Sequence, residues 1–405
     1  FPATLLPDPT PDTTRLDDAN PPVYTDVDEN ATDLYPVFKK SMTSFISTWE
    51  VGADSLEIEL PLGDLLSGGH VNQLKIDFGD QTSVVYVNSA TSGKISHTYA
   101  QAGNYEIKIT GKLETWSFNN DEFSSSITNI SQWGCLNLTT TTHQFDGCGN
   151  LEVTATDYPI IDDSTSLECC FQNCTPLTGG VENWKVKNVV SFEKMFNGCT
   201  NFNGDVSSWD TSSATNMVSM FMNASAFNAN VNTKSIGNET AWDVSNVTDA
   251  NRMFAGCTSF DQSIHEWDVS KIQDMELILN DVTLSLCNYI KIIRKWSTLA
   301  FENTNIKFGA GLCKYDTTTT YYRTKLSQYL TISDNGVDTQ LSCDGHIKYA
   351  TLVDPTVEHL NSGVDLMDSR KWQDVWDDTN NQDQYEAIFL PFYDIDYQLS
   401  KSLYD

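Results

Sequence analysis

The sequence predicts a mainly β protein with short helices, in which an N-terminal β-sandwich is followed by a solenoid of coils and a helical cap. Three patterns support this prediction. Apolar and polar residues alternate between about residues 40 and 116, aromatic residues recur at steps of about 25 over residues 133–267, and apolar residues follow helical spacing near residues 284–299. The patterns are typical of half-buried strands, stacked repeats and an amphipathic helix, respectively.

The sandwich is predicted for residues 37–117. Leu56, Ile58 and Leu60 alternate with acidic residues, and the same period of two recurs at residues 74–78 and 105–109. Turn residues separate these runs. Antiparallel strands that each bury one face are therefore expected to form a small β-sandwich.

Two stretches of this region, "KIDFGDQT" and "SHTYAQAGNYEIKITG", resemble the PKD (polycystic-kidney-disease) domain, an immunoglobulin-like sandwich. The matching positions are Asp77, Phe78, Gly79, Asp80, His97, Tyr99, Gly103 and Tyr105. Gln81 stands where that family usually has glycine. The resemblance implies a spacer or binding module and not a catalytic domain.

Residues 118–280 contain internal repeats. One series steps by 26, 25, 25 and 33 residues and comprises Phe145, Phe171, Phe196, Phe221 and Phe254. A second series keeps the same phase and comprises Trp133, Tyr158, Trp184, Trp209, Trp242 and Trp267. Each repeat is expected to be one coil of a solenoid, whose apolar face the neighbouring coils cover. Both series lengthen around "TKSIGNETA", where an insertion of about eight residues is predicted to form an outer loop.

Local structure within a coil is predicted from cap and strand signals. Thr215, Thr248 or Asp249, and Asp274 precede the "MxxMF"-like segment and are expected to N-cap a short helical turn. The segments around "FNGDVSSW" and "FDQSIHEW" are predicted to be strands.

The repeat "WDVSNVTDANRMFAGCTSFDQSI", residues 242–264, resembles the BspA-like surface-protein repeats, which are distant relatives of leucine-rich repeats. Residues 281–343, with "YIKIIRKWS" and "NTNIKFGAGLCKY", are similar to the terminal cap of such proteins. The resemblance implies a secreted or cell-surface protein that acts in adhesion or interaction, and it brings no catalytic residues. By helical spacing, the cap should contain helices near residues 284–299 and 318–330.

Two tails flank these regions. Residues 1–36 hold seven of the twelve prolines among many Asp and Thr residues, a composition typical of an extended segment. Residues 344–405 hold 13 acidic and four basic residues, yet they also contain "KWQDVW" and "YEAIFLPFYDIDY". Exposed aromatic residues are costly, so this tail is expected to dock on its own solenoid or on another subunit.

Charge and hydropathy exclude some function classes. The 55 acidic and 24 basic residues give a formal charge of −31, which disfavours nucleic acid and anionic membrane partners. No apolar run is long enough for membrane insertion. The chain begins at Phe1, as removal of a signal peptide would leave it, and its ten cysteines suit an oxidising, extracellular setting.

Four cysteines occupy one phase of the repeat, namely Cys148, Cys174, Cys199 and Cys257. Stacked coils place them in a line and not around a point, so they are predicted to form an inward structural ladder with Trp133, Trp184, Trp209, Trp242 and Trp267. Cys313 and Cys343 are the predicted disulfide, while Cys135, Cys169, Cys170 and Cys287 allow several pairings. Zinc at "CCFQNC" is disfavoured because no histidine lies near it in the sequence.

Two further kinds of site are hypotheses at this stage. Asp26, Asp28, Asn30 and Asp33 have the spacing of oxygen ligands and are the candidate calcium site, although the glycine and glutamate of an EF-hand are missing. N-glycosylation is expected first at Asn238, in the insertion, and then at Asn223, Asn246 and Asn137. The six histidines are scattered without a recurring partner, which argues against acid-base catalysis.

The sequence therefore predicts a non-enzymatic, extracellular surface protein that acts in adhesion or protein-protein interaction and self-assembles through its tails. Its expected partners are other copies of itself, surface proteins or glycans, and no cofactor is expected apart from calcium. Two alternatives stay open: a structural subunit of a filament, appendage, virion or cell coat, and a non-catalytic module associated with polysaccharide degradation.

Overall fold

The computed structural model describes residues 43–62, 74–87, 95–139, 141–162, 164–237, 239–339 and 343. Most regular structure in these residues is β-strand, and the two α-helices are short. The prediction of a mainly β protein is confirmed. Within the described ranges, no helix is both long and apolar enough to cross a membrane.

The N-terminal part contains two antiparallel sheets. The larger sheet includes β1 (Phe45–Val51), β3 (Leu74–Asp77), β4 (Val85–Val87) and β6 (Gly103–Gly111), in the order β4-β3-β6-β1. The smaller sheet pairs β2 (Glu57–Leu60) with β5 (Ile95–Thr98). Alternate residues of β1 are buried, including Phe45 and Trp49, as a strand with one face in the core requires.

The larger sheet continues into the repeats. Strand β1 also pairs with β7 (Ile127–Gln132), and β7 pairs in parallel with β8 (Glu152–Val153). Hydrogen bonds therefore cross the predicted boundary at residue 117. One apolar cluster likewise extends from the N-terminal sheets through the coils to the cap.

Successive coils lie in parallel register. Strand β9 (Thr165–Ser166) pairs with β10 (Val189–Ser191), and isolated parallel bridges then join Ser191 to Asn216, Asn216 to Asp249, and Asp249 to Asp274. These contacts follow the spacing of the phenylalanine series, including its longer step. Stacked coils of this kind satisfy their backbone groups through the neighbouring coil.

The backbone ladder around each phenylalanine has a fixed pattern. In the coil of Phe196, the N–H groups of Lys194, Phe196 and Gly198 donate to Val218, Met220 and Met222 of the next coil. The first and last of these three donors have positive φ, 54° and 77°. Equivalent residues of the other coils share this conformation, which turns alternate N–H groups towards the same neighbour; they include His143, Cys169, Ser219, Arg252 and Leu277.

The interior is a column of aromatic rings. Phe145, Phe171, Phe196, Phe221 and Phe254 are stacked with centroid distances of 5.5, 5.8, 5.5 and 5.8 Å. Each of these rings is fully buried. Parallel register of the coils therefore aligns their largest apolar groups, and every ring is covered by the coil before or after it.

Two local predictions for the coils are wrong. The "MxxMF" segments form consecutive turns and not helical turns, because their left-handed residues interrupt helical geometry. These turns are stabilised by side-chain oxygens that accept from the N–H two residues later, at Asn216, Asp249 and Asp274. The segments around "FNGDVSSW" and "FDQSIHEW" are not strands. The insertion predicted as an outer loop is a hairpin of β11 (Lys234–Ile236) and β12 (Glu239–Ala241), and β11 is exposed.

The C-terminal cap combines helices with two further parallel strand pairs. Helix α1 (Leu286–Trp296) lies within the predicted range and buries Ile290, Ile293 and Trp296. A 3-10 helix (Thr317–Thr319) leads into α2 (Thr320–Leu326). Strand β13 (Ile306–Gly309) pairs with β15 (Leu330–Ser333), and β14 (Tyr315–Asp316) pairs with β16 (Val337–Asp338).

A buried ion pair fastens the cap. Asp334 accepts from Arg323 Nε and Nη2 at 2.8 and 3.1 Å, and from the Tyr289 hydroxyl at 2.8 Å. The Asp334 side chain is only 2% exposed. Because both carboxylate oxygens have donors, this charge can be buried beside α1 and α2 without an unpaired oxygen.

Replacing Gln81 with glycine is expected to stabilise the protein. Gln81 has a φ of 67°, a conformation that costs a residue with a side chain about 1 to 2 kcal/mol. Part of this gain is offset by the larger backbone entropy of glycine in the unfolded state. Chemical denaturation should therefore show Gln81→Gly to be about 1 kcal/mol more stable. Gln101→Gly, at an ordinary φ, should not stabilise, and equal effects of the two changes would contradict this explanation.

Removing one ring from the aromatic column is expected to be severe. Phe196→Ala should lower the free energy of unfolding by about 3 to 5 kcal/mol, since it leaves a cavity between Phe171, Phe202 and Phe221. The matched change Tyr321→Ala removes a ring that is 67% exposed and should cost less than about 0.5 kcal/mol. Comparable losses in thermal or chemical unfolding would show that the column does not carry the stability.

Candidate functional site

Several of the positions on which the PKD resemblance rests lie together in the N-terminal sheets. Asp80 is 2.7 Å from the His97 ring, Phe78 stacks on His97 at 4.2 Å, and the Tyr99 hydroxyl donates to the Phe78 carbonyl. Burial disfavours the charged form of Asp80, but hydrogen bonds from Thr82 and His97 outweigh it and lower the pKa of Asp80 to about 2. These residues hold a turn against the sheet, and the polar groups of Asp80 and His97 already bond within this N-terminal region.

The repeat-phase cysteines are buried in the coils. Cys174, Cys199 and Cys257 donate to the carbonyls of Phe145, Phe171 and Phe221, each in the preceding coil. Cys148 is also buried as a free thiol. Burial raises the pKa of each of these thiols, to about 12 for Cys257. Protonated, inaccessible thiols of this kind are unreactive at neutral pH.

The tryptophans of the predicted ladder are buried too. The indole N–H groups of Trp209, Trp242 and Trp267 donate to Val181, Val206 and Val231. Trp133 and Trp184 pack edge to face at 5.1 Å. None of the five rings is more than 3% exposed, so they are not available as a platform for a carbohydrate.

The predicted disulfide between Cys313 and Cys343 is wrong. Cys343 is bonded to Cys287, on helix α1, and Cys313 is a buried free thiol that lies 3.4 Å from the Leu284 amide nitrogen. The cap folds so that α1 passes beside residue 343. Sequence spacing did not reveal this pairing, because Cys287 lies 56 residues before Cys343 in the chain.

The remaining predicted sites lie in different parts of the chain. Asp26, Asp28, Asn30, Asp33 and Asn238 lie outside the described residues. Asn223 and Asn246 are exposed, and Asn137 is half-buried. The amide nitrogens of Asn246 and Asn137 donate to Ser212 and Asp162 of neighbouring coils, so these two side chains already have a structural use.

One polar depression lies on the first coils. It is open, has a volume of about 630 Å³ and is lined by Ser117, Asn119, Thr139, Thr141, Thr142, His143, Ser164 and Ser166. Ser117 and Thr141 donate to backbone carbonyls across the coil interface, at Thr142 and Trp116. Sequence reasoning missed this site because its hydroxyl groups come from three stretches that only the stacking of coils joins.

Three side chains of types that can bind metal ions meet at the edge of this depression. The donor atoms of His143, Glu168 and Cys169 all lie within 4.8 Å of one another. Sequence reasoning set zinc aside at "CCFQNC" because no histidine was close in the chain. The coil step supplies one from the preceding repeat, where the His143 N–H donates to the Glu168 carbonyl.

Carboxylates line one side of the later coils and form what we term the acidic column: Glu193, Asp249, Asp274 and Glu276. Burial raises the pKa of Asp249, and the charges of Asp274 and Glu193 raise it further, although the Asn251 N–H acts in the opposite sense. Lys194 and Lys307 pair with Glu193 and Glu276, each at 2.8 Å. Asp249 and Asp274 form no such close pair within the described ranges, although the charge of Asp274 also acts on Lys307, so the column keeps a net negative charge.

Reduction of the disulfide should destabilise the cap. The chain-entropy model gives about 4 kcal/mol for a 56-residue loop. Unfolding of Cys287→Ser should be insensitive to reductant, whereas the control variant Cys313→Ser should keep its sensitivity. Peptide mapping without reductant should recover Cys287 linked to Cys343. A fragment that links Cys313 to Cys343 would overturn this assignment.

Comparison with known families gives one match. Residues 165–296 match the model of a family described as "Mycoplasma protein of unknown function, DUF285". Comparisons with curated proteins and with solved structures return no match. The matched residues are the coils from Thr165 onwards together with helix α1, so the chain is similar to this family over its repeat region.

Proposed function

We propose that this chain is a non-enzymatic, extracellular surface protein that acts in adhesion or protein-protein interaction. In this proposal the coils form a BspA-like, leucine-rich-repeat-related solenoid, the N-terminal sheets form a PKD-like spacer, and residues 1–36 and 344–405 mediate self-association. The side of the coils that carries the acidic column is the binding surface.

The observation that carries the proposal is the regular presentation of polar groups on stacked coils. Bridges at Asn216, Asp249 and Asp274 hold successive coils in register, so outward residues recur along one line. Repeat proteins use such extended surfaces for binding. The apolar, thiol and indole groups are buried in the core. The outward polar columns are therefore the groups that can contact a partner.

The acidic column also indicates the chemistry of that partner. Asp249 and Asp274 lie in neighbouring coils and repel each other electrostatically. A cationic group placed over them would relieve this repulsion and gain attraction in a partly buried setting. A basic protein segment is therefore the partner that this surface favours.

The match to the DUF285 model covers the same coils and is compatible with a BspA-like surface protein. The disulfide between Cys287 and Cys343 supports a role for the cap end in self-association. It ties the chain to α1 immediately before residues 344–405, so this aromatic-containing segment starts at the cap.

A test uses the full chain and two charge-matched variants. The first removes three charges of the acidic column, with Asp249→Asn, Asp274→Asn and Glu276→Gln. The second removes three exposed charges elsewhere, with Asp205→Asn, Asp268→Asn and Glu302→Gln. On an array of extracellular matrix proteins and glycans, the parent chain should bind saturably, and the first variant should bind at least about 10-fold more weakly.

The second variant has the same net charge as the first, but it should bind like the parent chain. Sedimentation velocity on the same samples should show concentration-dependent self-association of all three proteins, because the tails are unchanged. A parent chain that binds nothing on the array and stays monomeric at high concentration would refute the proposed function. Equal binding by the two variants would refute the acidic column as the surface.

A further inference from the structure

We infer that His143, Glu168 and Cys169 form a binding site for one divalent transition-metal ion, with zinc the best-matched ion. This metal site is independent of the adhesion surface proposed above. It lies in the first coils, at the edge of the polar depression, and combines one ligand of each type that zinc accepts in proteins: an imidazole nitrogen, a carboxylate oxygen and a thiolate sulfur.

The backbone holds the three ligands close together. His143 and Cys169 occupy the same left-handed position of consecutive coils, with φ values of 57° and 54°. The His143 N–H donates to the carbonyl of Glu168 at 2.9 Å, which places both residues of the second coil beside the histidine. Since the donors lie on rigid neighbouring coils, their proximity depends on coil register and not on a flexible loop.

The distances suit coordination after a small side-chain adjustment. The donor atoms lie within 4.8 Å of one another, whereas two ligands of tetrahedral zinc are about 3.5 Å apart. Glu168 is half-buried and long enough to close this gap by rotation about its side-chain bonds. Cys169 is 3% exposed and supplies the fixed, inner ligand. Burial raises the pKa of this thiol to about 12, so it is protonated without metal, and a coordinated divalent ion would displace its proton.

The histidine is already oriented by a second contact. Its Nδ1 lies 3.0 Å from the Thr142 hydroxyl, which leaves the lone pair on Nε2 when the Nδ1 proton points at that oxygen. Metal-bound histidines in proteins commonly donate their other ring nitrogen to a neighbouring group, which fixes the tautomer. Thr142 provides such a partner here.

A buried carboxylate beside the site has an unsatisfied oxygen. Asp146 is 4% exposed, and its Oδ1 has no hydrogen-bond partner among the described residues. Its charge interacts with both His143 and Cys169. An unpaired buried carboxylate oxygen is costly, and a nearby divalent cation would offset this cost.

Two of the corresponding positions in later coils carry basic residues and not metal ligands. Lys194 and Arg252 occupy the left-handed position in later coils, where they contact Glu193 and Asn251. The charge of Lys194 acts on Cys169, but Lys194 is itself paired with Glu193 at 2.8 Å. A fourth ligand, water or a group of a bound molecule, can enter from the open depression that His143 lines.

The test uses the full chain, stripped of metal and handled without oxygen or reductant, so that the Cys287–Cys343 disulfide stays intact and Cys169 stays a free thiol. Titration with Zn²⁺ should show one tight site per chain. Titration with Co²⁺ should give the near-ultraviolet absorption band of a thiolate-bound ion. His143→Ala, Cys169→Ser and the isosteric Glu168→Gln each remove one ligand, and we expect at least about 100-fold weaker binding for the first two.

Two control variants separate ligand loss from general effects. Arg252→Ala alters the same left-handed position in a later coil, and Cys313→Ser removes a buried thiol of the cap. Both should bind Zn²⁺ like the parent chain, and Cys313→Ser should keep the cobalt band. Circular dichroism checks that each variant is folded, and Glu168→Gln preserves packing if either other ligand variant unfolds.

A parent chain without a tight site would overturn the inference. Unchanged Zn²⁺ affinity in Glu168→Gln together with either folded ligand variant would also overturn it, because the ion would then bind elsewhere. Zinc should raise the melting temperature of the parent chain and the controls more than that of His143→Ala, since an ion that binds only the folded state stabilises it.

Discussion

The structure depends on the backbone ladder that joins each coil to the next. At the centre of every repeat, alternate N–H groups donate to the following coil, and residues such as Lys194 and Gly198 adopt positive φ to direct them. Left-handed conformations are costly for residues with side chains, so neighbouring coils must hold them in place. The ladder fixes the register of the coils. The register in turn determines which residues of successive coils stack in the interior and which recur along the outer surface.

The register of the coils explains why phenylalanine and cysteine recur at fixed positions in the core. A phenylalanine that recurs at the same phase meets its counterpart at 5.5 to 5.8 Å, and a cysteine at the same phase donates to a carbonyl of the preceding coil. The thiol is small, and its weak donor can be satisfied by the backbone. Cysteine here therefore acts as a core residue, and the one disulfide among the ten cysteines lies in the cap.

An open stack also needs ends that satisfy its backbone groups. At the first coils, β7 pairs with β1 of the N-terminal sheets, so a single sheet crosses from one part of the protein to the other. At the last coils, β13 and β15 continue the parallel pairing, while α1 covers the apolar interior with Ile290, Ile293 and Trp296. Both ends are thereby closed by elements that differ from the repeat.

The sequence by itself determined the features that depend on periodicity. The alternation of β1 and β6, the phases of the phenylalanine and tryptophan series, and the apolar face of α1 each reflect a regular geometry that residue spacing encodes. Gln81, at a position where glycine is usual, also proved to have positive φ. The local conformation of the "MxxMF" segment was beyond such reasoning, because cap residues suit a helical turn and a stack of left-handed turns equally well.

Only the tertiary structure decided which distant residues meet. It paired Cys343 with Cys287 instead of Cys313, and it brought His143 to Cys169 across one coil. It also joined hydroxyl groups from three stretches into one depression. Spacing within the chain specifies which side of a coil a residue occupies, but contacts between coils depend on the register that the hydrogen-bond ladder imposes.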